Sequence, residues 1–146
     1  MPYCCSADHG LVPIVAATLP SGGTEGSPRV HATTSWPVPA YVFSGGDAVA
    51  LAGAAAPIVE YLQGRNVAHN LLVFDAGRRL MLVPRKIGNF PDARKIQVAS
   101  CEVLGLWVVP NQDEYDALTQ DQAVALLEAA APDETVEIVA RLSAAP

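Results

Sequence analysis

The stretch NLLVFDAGRRLMLVP, residues 70–84, says most about how this chain folds. Two runs of aliphatic and aromatic residues flank the short sequence Asp75-Ala76-Gly77, a pattern typical of two β-strands joined by a glycine-containing turn. A hairpin pairs its two strands antiparallel. We therefore expect an antiparallel hairpin over residues 71–83.

A further strand and a helix are predicted before the hairpin. Residues 39–43, PAYVF, are rich in β-branched and aromatic residues and are followed by a turn with two glycines. Asp47 then stands where a helix N-cap is expected. The Ala-rich run 48–63 carries an apolar stripe and is followed by Gly64, a natural residue to terminate a helix. Pro57 lies inside this run, so we expect a kinked helix or two short ones.

A long apolar stretch after the hairpin predicts another strand. It covers residues 97–109, and Gly105 inside it indicates a bulge or a close approach of the backbone. Glu102 also lies inside it. A carboxylate in such a strand either faces solvent or is paired in a cleft, and the sequence leaves both alternatives open.

The last part of the chain predicts helices. Thr119 followed by Gln122 is a capping-box signature, which marks the start of a helix. Pro132 ends that helix, and a further helix is expected from Asp133. Strands followed by helices, with antiparallel pairing, indicate an α+β fold in which helices flank an antiparallel sheet.

Composition limits the class of protein. The 146 residues include 51% hydrophobic residues and carry a formal net charge of −6, which fits one acidic globular domain. No run of 18 apolar residues occurs, so a membrane is not expected, and the acidic balance argues against nucleic acid as a partner. Residues 1–35 are rich in Gly, Pro and Ser, so we expect a flexible, extended arm there and the domain itself over 36–143.

The cysteines and the common catalytic motifs add little. Cys4, Cys5 and Cys101 do not suit a secreted disulfide scaffold, so a reducing, cytoplasmic location is expected. The spacing of Cys4, Cys5 and His9 matches no zinc pattern, and no metal or cofactor is predicted. The chain also lacks a phosphate-binding loop, a dinucleotide fingerprint and a nucleophile elbow.

Basic residues concentrate around the hairpin. Six of the nine lie between residues 78 and 95: Arg78, Arg79, Arg85, Lys86, Arg94 and Lys95. The cluster is either a solvated rim of the hairpin or an anion site, because arginine and lysine at strand ends suit phosphate. His69 stands at the entry to the hairpin, where we expect a partly buried structural side chain rather than a catalytic one.

Three segments in order resemble one enzyme family. They are VAHNLLV at 67–73, PRK at 84–86 and VASCEVLG at 98–105. This set resembles the C-terminal half of the GDP-D-glucose and GDP-L-galactose phosphorylases. The resemblance extends over roughly residues 36–142.

The resemblance implies a fold and a reaction. These enzymes belong to the histidine-triad and galactose-1-phosphate uridylyltransferase superfamily, which implies a histidine-triad-like half-domain with an antiparallel sheet. Their nucleotidyltransferase reaction converts GDP-hexose and phosphate to GDP and hexose 1-phosphate. A histidine of a His-x-His-x-Gln motif attacks the α-phosphorus and carries GMP covalently. A GDP-hexose or another guanine nucleotide is therefore the expected ligand.

This chain departs from the family pattern at two places. It contains no His-x-His-x-Gln motif, so it is expected to be inactive alone and no catalytic residue is assigned. Gly105 is followed by Leu106, where the family usually has a histidine. The resemblance gives a supporting or substrate-lining role to four residues: Asn70, Arg85, Lys86 and Glu102. Each also has a structural alternative, with Asn70 as a strand-entry cap and Arg85 and Glu102 as a salt bridge across the sheet.

Two hypotheses about function follow. In the first, the chain is the C-terminal domain of a GDP-hexose phosphorylase, and the catalytic half is missing or lies on another chain. In the second, it is a non-catalytic remnant domain that serves as a binding or structural subunit of a larger complex, with the N-terminal arm ordering on its neighbour. A fragment of the first kind would expose an apolar face where the catalytic half packs.

Overall fold

The computed structural model describes residues 11–13, 28–33, 36–86, 98–133, 137–138 and 140, and in these it places five strands in one antiparallel sheet. The strands are β1 (Leu11–Pro13), β2 (Arg29–Thr33), β3 (Tyr41–Ser44), β4 (Ala68–Phe74) and β5 (Arg79–Arg85). Their order across the sheet is β1-β2-β3-β5-β4. The helices are α1 (Ala48–Gly64), α2 (Ser100–Val103), α3 (Gln112–Ala117) and α4 (Gln120–Ala129). The α+β fold with an antiparallel sheet and flanking helices is thus confirmed.

The predicted hairpin is strands β4 and β5. Leu71 lies opposite Leu82, and the pairing continues to Phe74 opposite Arg79. The turn between them contains Asp75, whose carboxylate pairs with the Arg79 guanidinium at 3.1 Å. Gly77, two residues after Asp75, has a φ of 87°, a left-handed conformation that favours glycine.

Helix α1 begins as the sequence predicts and ends one residue after the predicted run. The Asp47 carboxylate caps it by accepting a hydrogen bond of 2.8 Å from the Ala50 amide. The helix continues through Pro57 as one element, so the alternative of two short helices is wrong. Pro57 and Gly53, four residues earlier, both face solvent, where water can bond the Gly53 carbonyl that loses its helical partner. Among the described residues no helix is long and apolar enough to cross a membrane.

Apolar side chains cover both faces of the sheet. Helix α1 packs on β3, β4 and β5 and encloses one core. The buried residues of that core are Val30, Tyr41, Phe43, Leu51, Ala54, Ala55, Ile58, Leu62, Leu80, Leu82 and Ile138. A second core contains residues of α2 and α4 and the alternate residues of β3 and β5. It comprises Val38, Ala40, Val42, Met81, Val83, Val98, Val103, Leu126, Leu127 and Ala130. Strands β3 and β5 are therefore buried on both sides.

The strand predicted over residues 97–109 is wrong. Ser100–Val103 forms the short helix α2, and residues 104–109 have no helical or strand structure. Gly105, with a φ of 85°, turns the chain directly after this helix. Beyond the turn, Trp107 and Val109 are half-buried while Leu106 and Val108 are exposed. The alternation that suggested a strand thus belongs to a segment that pairs with no strand in the described part of the chain.

The two ends of the chain are described only in part. Helix α4 has the predicted capping box: the Thr119 hydroxyl accepts from the Gln122 amide at 3.3 Å, and the Gln122 side chain accepts from the Thr119 amide at 3.0 Å. Most of the helix predicted after Asp133 lies outside the described residues. Strands β1 and β2 fall within residues 1–35, so the sheet extends into the segment predicted as an arm. The domain boundary at residue 36 stays a prediction.

The buried centre of β5 should dominate stability. Leu82 is fully buried, and its cross-strand neighbour Leu71 is 47% exposed at the sheet edge. Leu82→Ala should lower the free energy of unfolding by about 2–5 kcal/mol, because it leaves a cavity. Leu71→Ala, the matched control, should lower it by about 1 kcal/mol or less. Urea denaturation measures both, and equal losses would contradict the assignment of the core.

Tyr41 should make the fold sensitive to alkali. Burial raises the pKa of its phenol from 10.0 to about 12. The unfolded chain releases this proton at lower pH than the folded one, so the free energy of unfolding should fall between pH 10 and 12. The slope is at most about 1.4 kcal/mol per pH unit. Urea denaturation from pH 9 to 11 should show a shallower decline for Tyr41→Phe, and parallel curves would refute the assignment.

Candidate functional site

A cationic pocket lies where β5 ends and β4 begins. Its volume is about 370 Å³. It is lined by Arg65, Asn66, Val67, Ala68, Arg85, Lys86, Pro132 and Asp133. Three of these side chains are cationic and one is anionic, whereas the chain as a whole has a net charge of −6. The local charge therefore favours an anionic ligand.

The end of helix α1 brings Arg65 to this pocket. The helix ends at Gly64, and Arg65 is its C-cap residue. Asn66, with a φ of 56°, takes the left-handed conformation that reverses the chain towards β4. The sequence predicted Gly64 as the first residue after the helix, but Gly64 is its last residue. The left-handed position after the C-cap is occupied by Asn66, and asparagine is the second most common residue at that position.

Arg85 is held in place by a short chain of hydrogen bonds. Asn70 pairs with Val83 across the hairpin, so its side chain lies on the same face as that of Arg85, two residues further along β5. Asn70 Oδ1, the side-chain amide oxygen, accepts from Arg85 Nε at 3.0 Å. Asn70 Nδ2 in turn donates to Ser100 Oγ of helix α2 at 2.8 Å. Within the described residues Arg85 Nη2 meets no acceptor, so this nitrogen can donate to a ligand.

The other two cations form exposed ion pairs. Lys86 Nζ lies 2.9 Å from the carboxylate of Asp133, and Arg65 Nη2 lies 3.1 Å from that of Glu137. Glu137 also accepts a hydrogen bond from the Tyr61 hydroxyl. Ion pairs of this kind on the surface contribute little, about 0–1 kcal/mol. A phosphate group can therefore compete for both cations.

A second cleft lies on the α2 and α4 side of the sheet. Its volume is about 420 Å³, and both tryptophans of the chain, Trp36 and Trp107, line it. Glu102, 4% exposed, also lines it. Its carboxylate accepts from the Ala99 amide at 2.9 Å and from the Val108 amide at 3.3 Å. Glu102 is thus paired in a cleft, which decides between the two alternatives for this residue.

The predicted site residues are distributed over both pockets. Arg85 and Lys86 line the cationic pocket, and Asn70 accepts a hydrogen bond from Arg85 without lining the pocket itself. Glu102 lines the other cleft and bonds backbone amides, so the alternative of an Arg85–Glu102 salt bridge is wrong. Asn70 lies inside β4 rather than capping its entry.

Sequence reasoning missed Arg65 and gave the tryptophans no role in a site. Arg65 lies twenty residues before Arg85, and the signal that could have found it is its place between the end of a helix and the entry to the hairpin. His69 is half-buried, and its Nδ1 lies 3.0 Å from the Val67 carbonyl oxygen, as a structural side chain would.

No metal centre is found in the part of the chain that the structure describes. There, no three His, Cys, Asp or Glu side chains come together as a metal would require. Cys101 is a free, exposed thiol. Cys4, Cys5 and His9 lie outside the described residues.

The fold and the pocket define an α+β domain that presents a cationic recess at one end of an antiparallel sheet, the kind of site that suits a phosphate-bearing ligand. Comparison with known families then identifies the domain more closely. The model of the family described as "GDPGP1-like, C-terminal domain" matches residues 15–136. This match covers most of the chain, which therefore belongs to that family.

Two curated proteins are similar over most of this chain. GDP-L-galactose phosphorylase 1 of Arabidopsis thaliana is 28% identical over 126 residues, which are 79% of this chain and 28% of that protein. GDP-D-glucose phosphorylase 1 of Bos taurus is 28% identical over 142 residues, 82% of this chain and 36% of that protein. The chain thus spans about a third of the length of these relatives. No solved structure matches it significantly.

The link between Asn70, Arg85 and Ser100 can be tested by unfolding. Asn70→Ala removes both side-chain bonds and should lower the free energy of unfolding by about 1–3 kcal/mol. Ser100→Ala should cost about 1 kcal/mol. Because the two share a bond, the double variant should lose less than the sum of the single losses in urea denaturation. Strict additivity would show that the bond is not formed.

Proposed function

We propose that this chain is the part of a GDP-hexose phosphorylase that holds the phosphate groups of the substrate. The observation that carries the proposal is the convergence of Arg65, Arg85 and Lys86 in one pocket, in a family whose curated relatives are named as GDP-sugar phosphorylases. The ligand is a GDP-hexose, and the pocket takes its diphosphate or the attacking phosphate.

The geometry of Arg85 supports this role. A guanidinium presents several N–H donors in one plane, which suits the oxygens of a phosphate group. Asn70 occupies Nε and thereby sets the direction of the plane, while no described residue accepts from Nη2. Such a preset donor stabilises charge that develops on phosphate during transfer, since it does not need to reorient.

The reaction consists of two displacements at the α-phosphorus. In the first, a histidine attacks it and takes the GMP group, and the bond to the oxygen of hexose 1-phosphate breaks. In the second, inorganic phosphate attacks the same phosphorus, the bond to histidine breaks and GDP leaves. We place that histidine outside this chain, in the preceding part of a longer protein or on a partner chain. The residues of the cationic pocket bind and orient phosphate oxygens in both steps.

The second candidate is a non-catalytic binding or structural subunit. It is favoured by three exposed apolar side chains on the segment after α2, Leu104, Leu106 and Val108, which are 45%, 65% and 61% exposed. An apolar surface of this kind suits packing against another protein part. A catalytic half would use the same surface, so the two functions are separated by ligand binding rather than by this surface.

Binding of phosphate compounds to the purified chain tests the proposal. Calorimetric titration should show saturable binding of GDP and of inorganic phosphate. Arg85→Gln should weaken both by roughly 10- to 100-fold, because a hydrogen bond to a charged group contributes about 1.5–3 kcal/mol.

Arg78→Ala is the matched control. Arg78 is an exposed cation beside the hairpin turn, at the opposite end of β5 from Arg85, about 20 Å away. Its loss should leave the affinities unchanged. An equal loss in both variants would indicate a general charge effect, and absence of binding to the unsubstituted chain would favour the structural subunit.

A further inference from the structure

The cleft that both tryptophans line is otherwise mostly apolar. Trp36 precedes β3 and Trp107 follows the turn at Gly105, so they reach the cleft from separate parts of the chain. The apolar side chains Val103, Leu118, Ala123, Val124 and Leu127 complete its lining. Clefts that hold small molecules are commonly apolar and aromatic, with a few polar groups that orient the ligand. Aromatic side chains also stack well on the faces of nucleobases.

Glu102 supplies the orienting polar group. Each of its two carboxylate oxygens accepts one backbone amide, from Ala99 and Val108, and these bonds hold the side chain in one position. A carboxylate oxygen has two acceptor sites, so each oxygen keeps one for a ligand. Glu102 therefore has two adjacent oxygens, each with one acceptor site beyond its backbone bond, and it lines a cleft whose other lining residues are mostly apolar.

We propose that this cleft binds the guanine base of the nucleotide, with Glu102 accepting hydrogen bonds from the base. The inference rests on the proposed function and adds to it the residues that select the base. Guanine carries two adjacent donors, N1–H and the exocyclic amino group, which match the two carboxylate oxygens. Adenine places the acceptor N1 beside its amino group, and uracil flanks its N3–H with two carbonyl oxygens. Both would bring an acceptor against the carboxylate.

The cleft and the cationic pocket are connected through helix α2. Ser100 and Glu102 both belong to this helix, and Glu102 lines the cleft. Ser100 Oγ accepts from Asn70, whose side-chain oxygen accepts from Arg85 Nε in the cationic pocket. This connection is the basis for assigning both sites to one nucleotide.

Tryptophan fluorescence reports on this cleft alone, because the chain has two tryptophans and both line it. Guanosine is the probe, since it carries the base without phosphate. Titration should give a saturable change in emission. Inosine, which lacks the exocyclic amino group, should bind at least tenfold more weakly, and adenosine more weakly again. In Glu102→Gln the preference for guanosine over inosine should disappear.

A second variant covers the case in which Glu102→Gln does not fold, which circular dichroism would show. Ala123→Leu fills the cleft from α4 and should abolish the guanosine response. Ala125→Leu adds the same side chain on the solvent side of the same helix and should leave the response unchanged. Equal responses in these two variants would overturn the proposal.

The outcomes separate this inference from the proposed function. If GDP and phosphate bind but guanosine does not, the assignment of the base to this cleft is wrong and the phosphate site stands. If guanosine binds with no preference over inosine, the cleft accepts flat rings but Glu102 does not read the base, and the proposal fails. If guanosine binds selectively while phosphate does not, the cleft is confirmed and the cationic pocket is not a phosphate site.

Discussion

Burial of β5 on both faces is the constraint on which the rest of the structure depends. Leu80 and Leu82 pack towards α1, and Met81 and Val83 pack towards α2 and α4, all at 7% exposure or less. A strand buried on both sides needs a partner strand at each edge and a cover on each face. Strands β3 and β4 supply the partners and the helices supply the covers. Strand β5 ends at Arg85, and Lys86 follows it, so both cations lie at one end of the sheet. The packing of the core therefore sets the position of the cationic pocket.

Local signals account for the elements that could be predicted from the sequence. The hairpin, the Asp47 cap and the capping box at Thr119 each depend on residues a few positions apart, and each is present as expected. The strand predicted over 97–109 failed for a related reason. Helix α2 is four residues long, which is about one turn, so it shows no helical period in the sequence. Apolar residues next to it were then assigned to a strand.

The candidate site could be predicted where its residues form a cluster in the chain or lie in a segment that resembles the family. Arg85 and Lys86 belong to a visible cluster of basic residues, and the resemblance to a family drew attention to Asn70 and Glu102. Arg65 joins them because α1 ends beside the start of β4. Its place between a predicted helix end and the hairpin is visible in the sequence, but its approach to Arg85 depends on the packing of the helix against the sheet. Trp36 and Trp107 are seventy-one positions apart and meet in one cleft through the packing of the second core.

The outer edge of β4 has a consequence for how the domain behaves in solution. In the described part of the sheet this seven-residue strand has a neighbour on one side only, and Leu71 and Val73 on it are 47% and 62% exposed. Such an edge presents free amide and carbonyl groups together with apolar side chains, which makes it a template for pairing with another chain. At high protein concentration the isolated domain should therefore associate through the edges of β4. Natural sheets prevent such pairing with charged side chains on their edge strands, and a lysine at position 73 would be a residue of that kind.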